Sequence, residues 1–386
     1  MKIVSVNVYY VRGQGLKPVL VKIQTDEGIS GLGEAAISYG SGGTAVAGMI
    51  KDLSERFLLG ANPLSINRIV SDMYDQAFWL KNPGGIACAG MSAIEQALWD
   101  IRARALDVPV YELFGGKIRD ELNYYANGWY FGATSNSDLI RKAADAVDDG
   151  HYALKMYPLA QIQPNGTLRH PNGRYSDNRD AVTAGIERVR DVRKAIGSDV
   201  RLMLDFGGGI SIADTMRFCE RIKEYEIEFV EEITDPGDLG ALSQVASSID
   251  IPIATGERHY LRQGFRDLLE RRAISILQPD IGNAGGFAEV HKISAMADAY
   301  GLKVQPHVCG SSIAANIATH MSACLPNFYI QEHFPYWADI PGYIEVATVP
   351  FEETVRNGRL PISEHIGFGV ELHEAVMKEH LWAIIR

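Results

Sequence analysis

The first forty residues alternate between apolar and polar positions, which is the pattern of β-strands with one buried face. The runs are KIVSVNVYYVR and KPVLVKIQTDEGISGLGEA, and TDEGIS within the second run has the turn residues expected between two antiparallel strands. From about residue 43 to residue 106 the apolar residues recur at helical spacing instead. We therefore predict a small α+β domain at the front of the chain, over residues 1–119.

One helix of this domain is predicted to begin at a capping box. Ser92 precedes Glu95 by three positions, and apolar residues follow at helical spacing at positions 94, 97, 98 and 101. In a capping box the serine side chain accepts a hydrogen bond from the backbone N–H of the glutamate, and the glutamate side chain accepts one from the backbone N–H of the serine. The pattern therefore places the start of a helix at Ser92.

After residue 119 apolar runs alternate with helical or polar segments. The eight runs lie at 122–129, 152–157, 200–206, 227–231, 251–255, 274–278, 302–306 and 328–331. Eight strands alternating with helices predict a closed parallel barrel, whose usual length of about 250 residues fits residues 120–345. An open doubly wound sheet is the alternative, but no G-x-G-x-x-G motif follows a strand. Residues 346–386 break the repeat and are predicted to be a tail that packs elsewhere.

Two stretches of the barrel region are rich in turn residues. Residues 158–179 form a long polar segment after the second predicted strand, on the side where barrels carry their chemistry, and could cover a substrate. Residues 282–287, GNAGGF, could bind a phosphate group or could only make a tight turn before a helix. The sequence leaves these two interpretations of the glycine-rich loop open.

Composition and charge narrow the class of partner. The chain has 46% hydrophobic and 22% charged residues and a net charge of -11, which is typical of a soluble globular protein and disfavours nucleic acid and anionic membranes. An anionic small molecule remains possible, because a bound divalent cation can reverse the local field. The four cysteines have no metal-ligand spacing, and no signal peptide or long apolar segment is recognisable. A cytoplasmic location is the default expectation.

Ionisable side chains stand at or just beyond the predicted strand ends. These residues are Lys155, Tyr157, Asp205, Glu231, Glu257, Asp280, His307 and Glu332. From Asp205 onward they follow one another at intervals typical of one βα unit. Because the carboxyl ends of parallel barrel strands lie at one rim, these side chains are predicted to converge there.

Three of the acids, Asp205, Glu231 and Glu257, come from neighbouring predicted strands. Carboxylates that lie close together raise one another's pKa unless a cation balances their charge. Hard oxygen ligands without thiols favour Mg²⁺, with Mn²⁺ as a substitute. The alternative is that each acid only caps the helix after its strand, which explains one such residue well and three in phase less well.

The next strand ends carry a second kind of chemistry. Asp280 beside His307 would fix the imidazole tautomer and raise its basicity, as in a general base, although a lone histidine is more often structural. His259, two residues after Glu257, is predicted to point to the same face as that acid and to contact substrate. Glu332 could donate a hydrogen bond if it is protonated, or hold a substrate hydroxyl if it is not.

These motifs resemble the enolase superfamily, in the mandelate racemase group that includes the acid-sugar dehydratases. TDEGISGLGEA and SAIEQALWDIRARALDVPVYELFGG are similar to the capping domain of that group. ALKMY, LMLDFG, VEE, ATGE, QPDIGNAGG, QPH and QEH are similar, in order, to its barrel. The resemblance implies an α/β fold, a modified TIM barrel of (β/α)7β type, with an α+β capping domain formed by the N-terminal part and the C-terminal tail. It also implies a homo-oligomer, either a dimer or an octamer.

The resemblance implies roles by position. Asp205, Glu231 and Glu257 correspond to the Mg²⁺ ligands of the family. Asp280 and His307 correspond to the pair that moves a proton on one face of the substrate.

Three further positions correspond to substrate contacts or to the opposite face. Glu332 matches the acid that hydrogen-bonds the substrate carboxylate. The second-strand motif of the family is Lys-x-Lys, and here Lys155 keeps the first place, against the substrate carboxylate, while Tyr157 replaces the second lysine as opposite-face base. Gly207, where many relatives have Asn, and Ile233, where Pro is common, are further departures.

The shared family step is removal of the proton α to a metal-bound carboxylate, which gives an enediolate. A tyrosine of pKa about 10 opposite a histidine of about 6.5 suits the elimination of water better than symmetric racemisation. We therefore expect a Mg²⁺-dependent dehydratase of an aldonate or aldarate, which forms a 2-keto-3-deoxy acid. The alternatives are a cycloisomerase of sugar lactones or anhydro-sugar acids, an epimerase or racemase, and a binding protein that has lost catalysis.

Two details of the expected site stay open at this point. The Lys155 ammonium and the metal would lower the pKa of Tyr157 and make tyrosinate a plausible base, or His307 could take the proton instead. Residues 12–18 and 37–44 correspond to the loops that cover the barrel mouth in the family. Arg12 and Lys17 could meet a distal carboxylate there, or could simply be solvated.

Overall fold

The computed structural model describes residues 1–171, 173, 175–348, 355 and 358–386. Its first sheet forms from the alternating segments at the front of the chain: β1 (Ile3–Tyr10), β2 (Val19–Thr25) and β3 (Ser30–Ala35). The strands pair antiparallel, and the amide of Thr25 donates to the carbonyl of Ile29 at 3.0 Å across the turn. The predicted turn at TDEGIS is therefore confirmed.

Three helices follow this sheet: α1 (Gly43–Phe57), α2 (Ile66–Gln76) and α3 (Gly85–Ala105). α1 and α3 pack on the strands, and α2 packs on these two helices. The contact between β3 and α3 depends on two glycines. A Cβ at Gly31 would lie 2.1 Å from the carbonyl oxygen of Ala97, and one at Gly33 would lie 2.0 Å from that of Ala93. No side chain fits in that space, so glycine at both positions sets how closely the helix approaches the strand.

Ten strands follow. They are β4 (Glu121–Ala126), β5 (Ala153–Met156), β6 (Gln161–Ile162), β7 (Leu168–Arg169), β8 (Arg201–Asp205), β9 (Ile227–Glu231), β10 (Ile253–Thr255), β11 (Ile276–Leu277), β12 (Lys303–Val304) and β13 (Gln331–His333). β6 and β7 pair as a hairpin inside the polar segment 158–179. The other eight are ordered β12-β11-β10-β9-β8-β5-β4-β13 with parallel neighbours, and a bridge between Val304 and Phe328 closes the ring.

Each of the first seven barrel strands is followed by a helix. These are α4 (Asn136–Asp148), α5 (Arg179–Ile196), α6 (Ile212–Ile222), α7 (Leu239–Ala246), α8 (Leu261–Glu270), α9 (Phe287–Ala299) and α10 (Ser312–Cys324). The predicted (β/α)7β barrel with a capping domain is therefore confirmed. Within the part of the chain that the structure describes, no helix is both long and apolar enough to span a bilayer.

The barrel interior explains why the strand ends carry the chemistry. Ala153, Met203 and Phe229 are buried together in the centre of the barrel. Each precedes a candidate site residue of the same strand by two positions. Because side chains two apart share a face of a strand, the candidate residues also point inward, one layer nearer the rim.

The tail contacts both parts of the molecule. It contains β14 (Arg359–Pro361), α11 (Glu374–Met377) and β15 (Leu381–Ile385). β14 pairs antiparallel with β4 of the barrel, whereas β15 pairs antiparallel with β1 of the first sheet. The last strand therefore completes the sheet that the first residues began.

The predicted capping box at Ser92 is wrong. α3 begins at Gly85, so Ser92 and Glu95 lie inside the helix and face the barrel. Glu95 accepts hydrogen bonds from the amides of Phe287 at 2.6 Å and Ala288 at 3.0 Å, at the start of α9. The residue that looked like a local cap therefore caps a helix of the other domain, and burial raises its pKa to about 7.

The same contacts decide between the two interpretations of residues 282–287. The Ser92 hydroxyl accepts a hydrogen bond from the amide of Gly285, and the Glu95 carboxylate accepts from the amides of Phe287 and Ala288. A Cβ at Gly286 would lie 2.3 Å from that carboxylate. The loop is therefore a tight turn whose helix amides bind a protein side chain, which leaves no place for phosphate.

Candidate functional site

A cavity of about 200 Å³ opens at the carboxyl ends of the barrel strands. Five of the sequence-predicted residues line it, namely Lys155, Tyr157, Asp205, His307 and Glu332. Glu231, Glu257 and Asp280 do not line it but bond to residues that do. The structure therefore gathers eight of the nine candidates around one space, and His259 is the exception.

Lys155 is the central cation of the site. It is 1% exposed, and its Nζ lies 2.8 Å from both carboxylate oxygens of Glu231 and 2.9 Å from Oε1 of Glu332. Oδ2 of Asp205 is 4.0 Å away. Burial alone would lower the pKa of Lys155, but these carboxylates raise it well above its usual value. The lysine is therefore charged and is held by acids from three different strands.

Glu332 is fixed on both oxygens. Its Oε1 also accepts from the Asn127 amide at 2.9 Å, and its Oε2 accepts from the backbone N–H of Val308 at 2.8 Å. Burial would raise its pKa, but Lys155 and His307 lower it below the usual value. These contacts favour the ionised form over the protonated donor.

His307 lies between two acids. Its Nδ1 is 2.7 Å from Oδ2 of Asp280, and its Nε2 is 3.0 Å from Oε2 of Glu257. Burial would lower the pKa of His307, but Glu257 and Asp280 raise it well above its usual value. Conversely, burial would raise the pKa of Glu257, but the charge and hydrogen bond of His307 lower it to about 2. The predicted pairing of His307 with Asp280 is present, and Glu257 adds a second contact.

The three predicted ligand carboxylates lie close together, and Lys155 and His307 compensate only part of their negative charge. Asp205 and Glu231 end β8 and β9 and are register partners. Burial and the charge of Glu231 raise the pKa of Asp205 well above its usual value, and burial also raises that of Glu231. Repulsion of this kind is what a hard divalent cation relieves, and an all-oxygen acidic donor set suits Mg²⁺.

The acids at the site outnumber its cationic groups. Around the cavity stand the carboxylates of Asp205, Glu231, Glu257, Asp280 and Glu332, against the cationic groups of Lys155 and His307. Among the residues described, no three His, Cys, Asp or Glu side chains are grouped as an assembled metal centre. In this arrangement Glu231 is turned to Lys155 and Glu257 to His307.

Tyr157 lies on the cavity wall just beyond β5. Its ring meets those of Tyr130 and His170 edge on, with centroids 5.8 and 4.7 Å apart. Burial raises the pKa of Tyr157 well above its usual value, Asp205 raises it further, and Lys155 lowers it only in part. In this arrangement Lys155 does not offset the effect of burial, because its ammonium is already paired with carboxylates, and a tyrosinate favoured by Lys155 together with the metal stays a prediction.

His170 is a cavity residue that the sequence did not single out. It follows β7, and the hairpin of β6 and β7 brings it to the cavity beside Tyr157. Burial lowers its pKa, and no acid is among the causes of the shift. The available signal was its position in the polar segment that was predicted to cover the barrel end.

His259 does not reach the cavity, so the prediction that it contacts substrate is not supported by the geometry. β10 ends at Thr255, and His259 donates its amide to the carbonyl of Gly256 at 3.0 Å in a turn. Its ring lies 5.9 Å from that of Phe265 on α8, and burial lowers its pKa to about 4. Strand alternation does not apply to this residue, because the chain has already left the strand.

The mouth of the cavity comes from the first domain, as the resemblance implied. Gly15, Leu16 and Tyr39 from the loops 12–18 and 37–44 line it, but Arg12 and Lys17 do not. The far wall is aromatic and contains Tyr130, Phe131, Phe334 and Trp337. Among these rings, Phe334 and Trp337 stack with centroids 3.8 Å apart.

Known proteins match this chain over both the first domain and the barrel. Residues 10–115 match the family model of the mandelate racemase / muconate lactonizing enzyme N-terminal domain. Residues 138–376 match the model of the enolase C-terminal domain-like family. A D-galactonate dehydratase from Ralstonia pickettii is 32% identical over 370 residues, which cover 94% of this chain and 90% of that protein.

Solved structures give the same result. A crystal structure of a candidate dehydratase from Mesorhizobium loti has a TM-score of 0.95 and 47% identity, and the match covers 100% of both chains. The 3,6-anhydro-D-galactonate cycloisomerase from Zobellia galactanivorans has a TM-score of 0.85 and 28% identity, and the match covers 99% of this chain and 100% of that one.

Proposed function

Because the chain belongs to the mandelate racemase / muconate lactonizing enzyme family of the enolase superfamily, we propose that this enzyme is a Mg²⁺-dependent dehydratase of an acid sugar. The observation that carries the proposal is the convergence of Lys155, Glu332 and the His307–Asp280 pair on one cavity beside three further carboxylates. The relatives named as D-galactonate dehydratases support the same reaction class.

The reaction removes the proton α to the substrate carboxylate and expels the β-hydroxyl as water. The enol that remains tautomerises to a 2-keto-3-deoxy acid, so substrate equals product plus one water. Asp205, Glu231 and Glu257 would hold Mg²⁺, which when bound supplies positive charge that favours ionisation next to the carboxylate.

The residues of the chain bind the substrate and move its protons. Lys155 offers the ammonium that attracts the substrate carboxylate, and Glu332 fixes that ammonium from the side. His307 lines the cavity and is oriented by Asp280 at Nδ1, and we assign it the role of taking or returning a proton through Nε2, which contacts Glu257 in this arrangement. Burial raises the pKa of Tyr157 and favours its protonated form, so we assign it the role of a hydrogen-bond or proton donor on the wall near His170.

The cavity favours an aldonate over an aldarate. Beyond Lys155 and the two histidines, the described residues that line the cavity include no lysine or arginine. A second carboxylate at the far end would meet Phe131, Phe334 and Trp337, which offer no positive charge to compensate its desolvation. The apolar faces of a neutral polyol chain suit such a wall better.

The test is a screen of aldonates and aldarates with the purified enzyme and Mg²⁺, monitored for 2-keto acid. Turnover of at least one aldonate is expected, with weaker or no turnover of the aldarate of the same configuration. No turnover of any acid by protein that binds Mg²⁺ would contradict the proposal.

The second candidate is a cycloisomerase of anhydro-sugar acids, in which a ring oxygen leaves instead of a hydroxyl. The Zobellia galactanivorans neighbour carries that name, and the aromatic wall suits a compact ring as well as an open chain. Adding sugar lactones and anhydro-sugar acids to the screen separates the two reactions. Solvent deuterium incorporation without loss of water would indicate an epimerase instead.

A further inference from the structure

Glu232 follows Glu231 directly and has an unusual backbone. Its φ is +49°, in the left-handed region, and its side chain is buried with 1% exposed. A residue with a Cβ is held in that conformation only when its surroundings over-determine it. The contacts of this residue therefore indicate what the conformation serves.

The backbone of Glu232 joins the ends of the neighbouring strands. Its amide donates to the carbonyl of Ala254 at 3.1 Å, and its carbonyl accepts from the amide of Gly208 at 2.6 Å. Its Oε1 accepts from the amide of Gly256 at 3.2 Å and from the hydroxyl of Thr255. Glu232 thus bonds to the end of β10 and to the residues just after β8 and β10, next to the proposed ligands Asp205 and Glu257.

The remaining oxygen of Glu232 binds Arg258. Nε of Arg258 lies 3.0 Å from Oε2 of Glu232, and Nη2 of the arginine binds the same oxygen. The same Nε lies 3.4 Å from Oε1 of Glu257. The guanidinium therefore stands between two carboxylates and is bonded to the one that is not a proposed metal ligand.

We infer that Glu232 is a positioning residue that holds the Arg258 guanidinium off Glu257 and so keeps the Glu257 carboxylate available to a divalent cation. The inference rests on the proposed function, because it takes Glu257 as a ligand. Without the charge of Glu232, the nearest carboxylate for Arg258 is that of Glu257. A guanidinium bound there would occupy a ligand oxygen and repel a dication.

The experiment measures Mg²⁺ affinity by calorimetry, without substrate, and does not depend on turnover. Glu232→Gln keeps an acceptor for Gly256 but loses the charge that holds Arg258, and we expect its Mg²⁺ affinity to fall about 10- to 100-fold, as for other residues that orient metal ligands. The double variant Glu232→Gln with Arg258→Met removes the competing cation as well and is expected to recover most of that loss. A merely structural role of Glu232 would give no such recovery.

The control residue lies on β9, the strand that Glu232 directly follows. Glu228 forms an ion pair with Arg201 at 2.8 Å near the start of β9, at the opposite end of the barrel. Glu228→Gln removes a comparable pair there and is expected to leave Mg²⁺ affinity unchanged.

Each outcome decides the question. Wild-type affinity in folded Glu232→Gln, or no recovery in the double variant, would overturn the inference and leave the proposed function standing. If Glu232→Gln does not fold, Arg258→Met alone is expected to bind Mg²⁺ at least as tightly as the wild type, and weaker binding would overturn the inference. Absence of Mg²⁺ binding by the wild type would instead overturn the proposed function and this inference with it.

Discussion

The ring of Tyr157 meets that of His170 edge to face, with centroids 4.7 Å apart. Tyr157 follows the barrel strand β5, and His170 follows β7 of the hairpin that covers the strand ends. The polar segment after β5 therefore does more than shield the cavity, because it packs directly on the side chain for which the family resemblance predicts the role of a base.

Tyr157→Phe keeps this ring contact and removes only the hydroxyl. We expect turnover to fall by about 100-fold or more, the usual loss when a proton donor or base is removed, while Mg²⁺ affinity stays unchanged. The measurements are kcat on the best aldonate and calorimetry with Mg²⁺. A nearly normal rate would assign proton transfer to His307 and reduce Tyr157 to a wall residue.

His307→Asn removes the titratable group that Asp280 orients. We expect exchange of the substrate α-proton with D₂O to be lost, together with turnover, because no other imidazole is bonded to an acid at this cavity among the residues described. Proton NMR in D₂O follows the exchange. The matched control is His365→Asn on the exposed tail, which should exchange at the wild-type rate, and persistent exchange in His307→Asn would rule out this role.

Replacing glycine by alanine is expected to have opposite effects on the free energy of unfolding at Gly33 and at Gly48. Gly33→Ala places a Cβ 2.0 Å from the carbonyl oxygen of Ala93, and we expect the free energy of unfolding to fall by about 1–3 kcal/mol. Gly48 lies inside α1 with nothing near the position of its Cβ, so Gly48→Ala should raise that free energy by about 0.5–1 kcal/mol. Urea unfolding of both variants checks the pair, and equal effects would contradict the packing of β3 on α3.

His320 predicts a pH dependence of stability. It is fully buried in α10, donates through Nε2 to the carbonyl of Phe368 at 3.0 Å, and has its pKa lowered to about 4 by burial. Between pH 4 and its ordinary pKa of about 6.5, the unfolded chain binds a proton that the folded protein does not. The free energy of unfolding therefore decreases as the pH is lowered through this window, by roughly 1 kcal/mol per pH unit from this group.

His320→Gln keeps a donor for Phe368 and does not titrate. Its free energy of unfolding should depend less steeply on pH than that of the wild type in denaturant titrations at pH 7, 6 and 5. Identical slopes for the two proteins would show that His320 does not contribute.

The barrel strands and the ionisable residues at their ends could be predicted from the sequence, because the spacing of apolar residues along a strand is a local property. The apolar runs at 200–206 and 227–231 place strands where β8 and β9 lie, and these strands end at Asp205 and Glu231. Two-residue spacing then fixes which face of the barrel the side chains share. Those rules need no knowledge of the partner strand.

Rules of local spacing could not predict side-chain contacts between residues that lie far apart in the chain. The spacing of Ser92 and Glu95 is that of a local cap, yet the partner of Glu95 is a helix almost two hundred positions later in the chain. In the same way, the position of Lys155 gives its face but not its pairing with Glu231 and Glu332. The position of His259 could not be predicted by strand alternation, because the turn at Gly256 ends that alternation before the chain reaches His259.

The pairing of β15 with β1 has a consequence for biosynthesis. β1 precedes the barrel in the chain, and its outer neighbour is made only after the whole barrel. Until then the backbone N–H and C=O groups of β1 form an open edge that can recruit strands from other nascent chains. The strand Leu381–Ile385 thus covers the edge of β1 late in synthesis and protects it against edge-to-edge aggregation. A chain that stops before this strand would be released with the edge of β1 exposed.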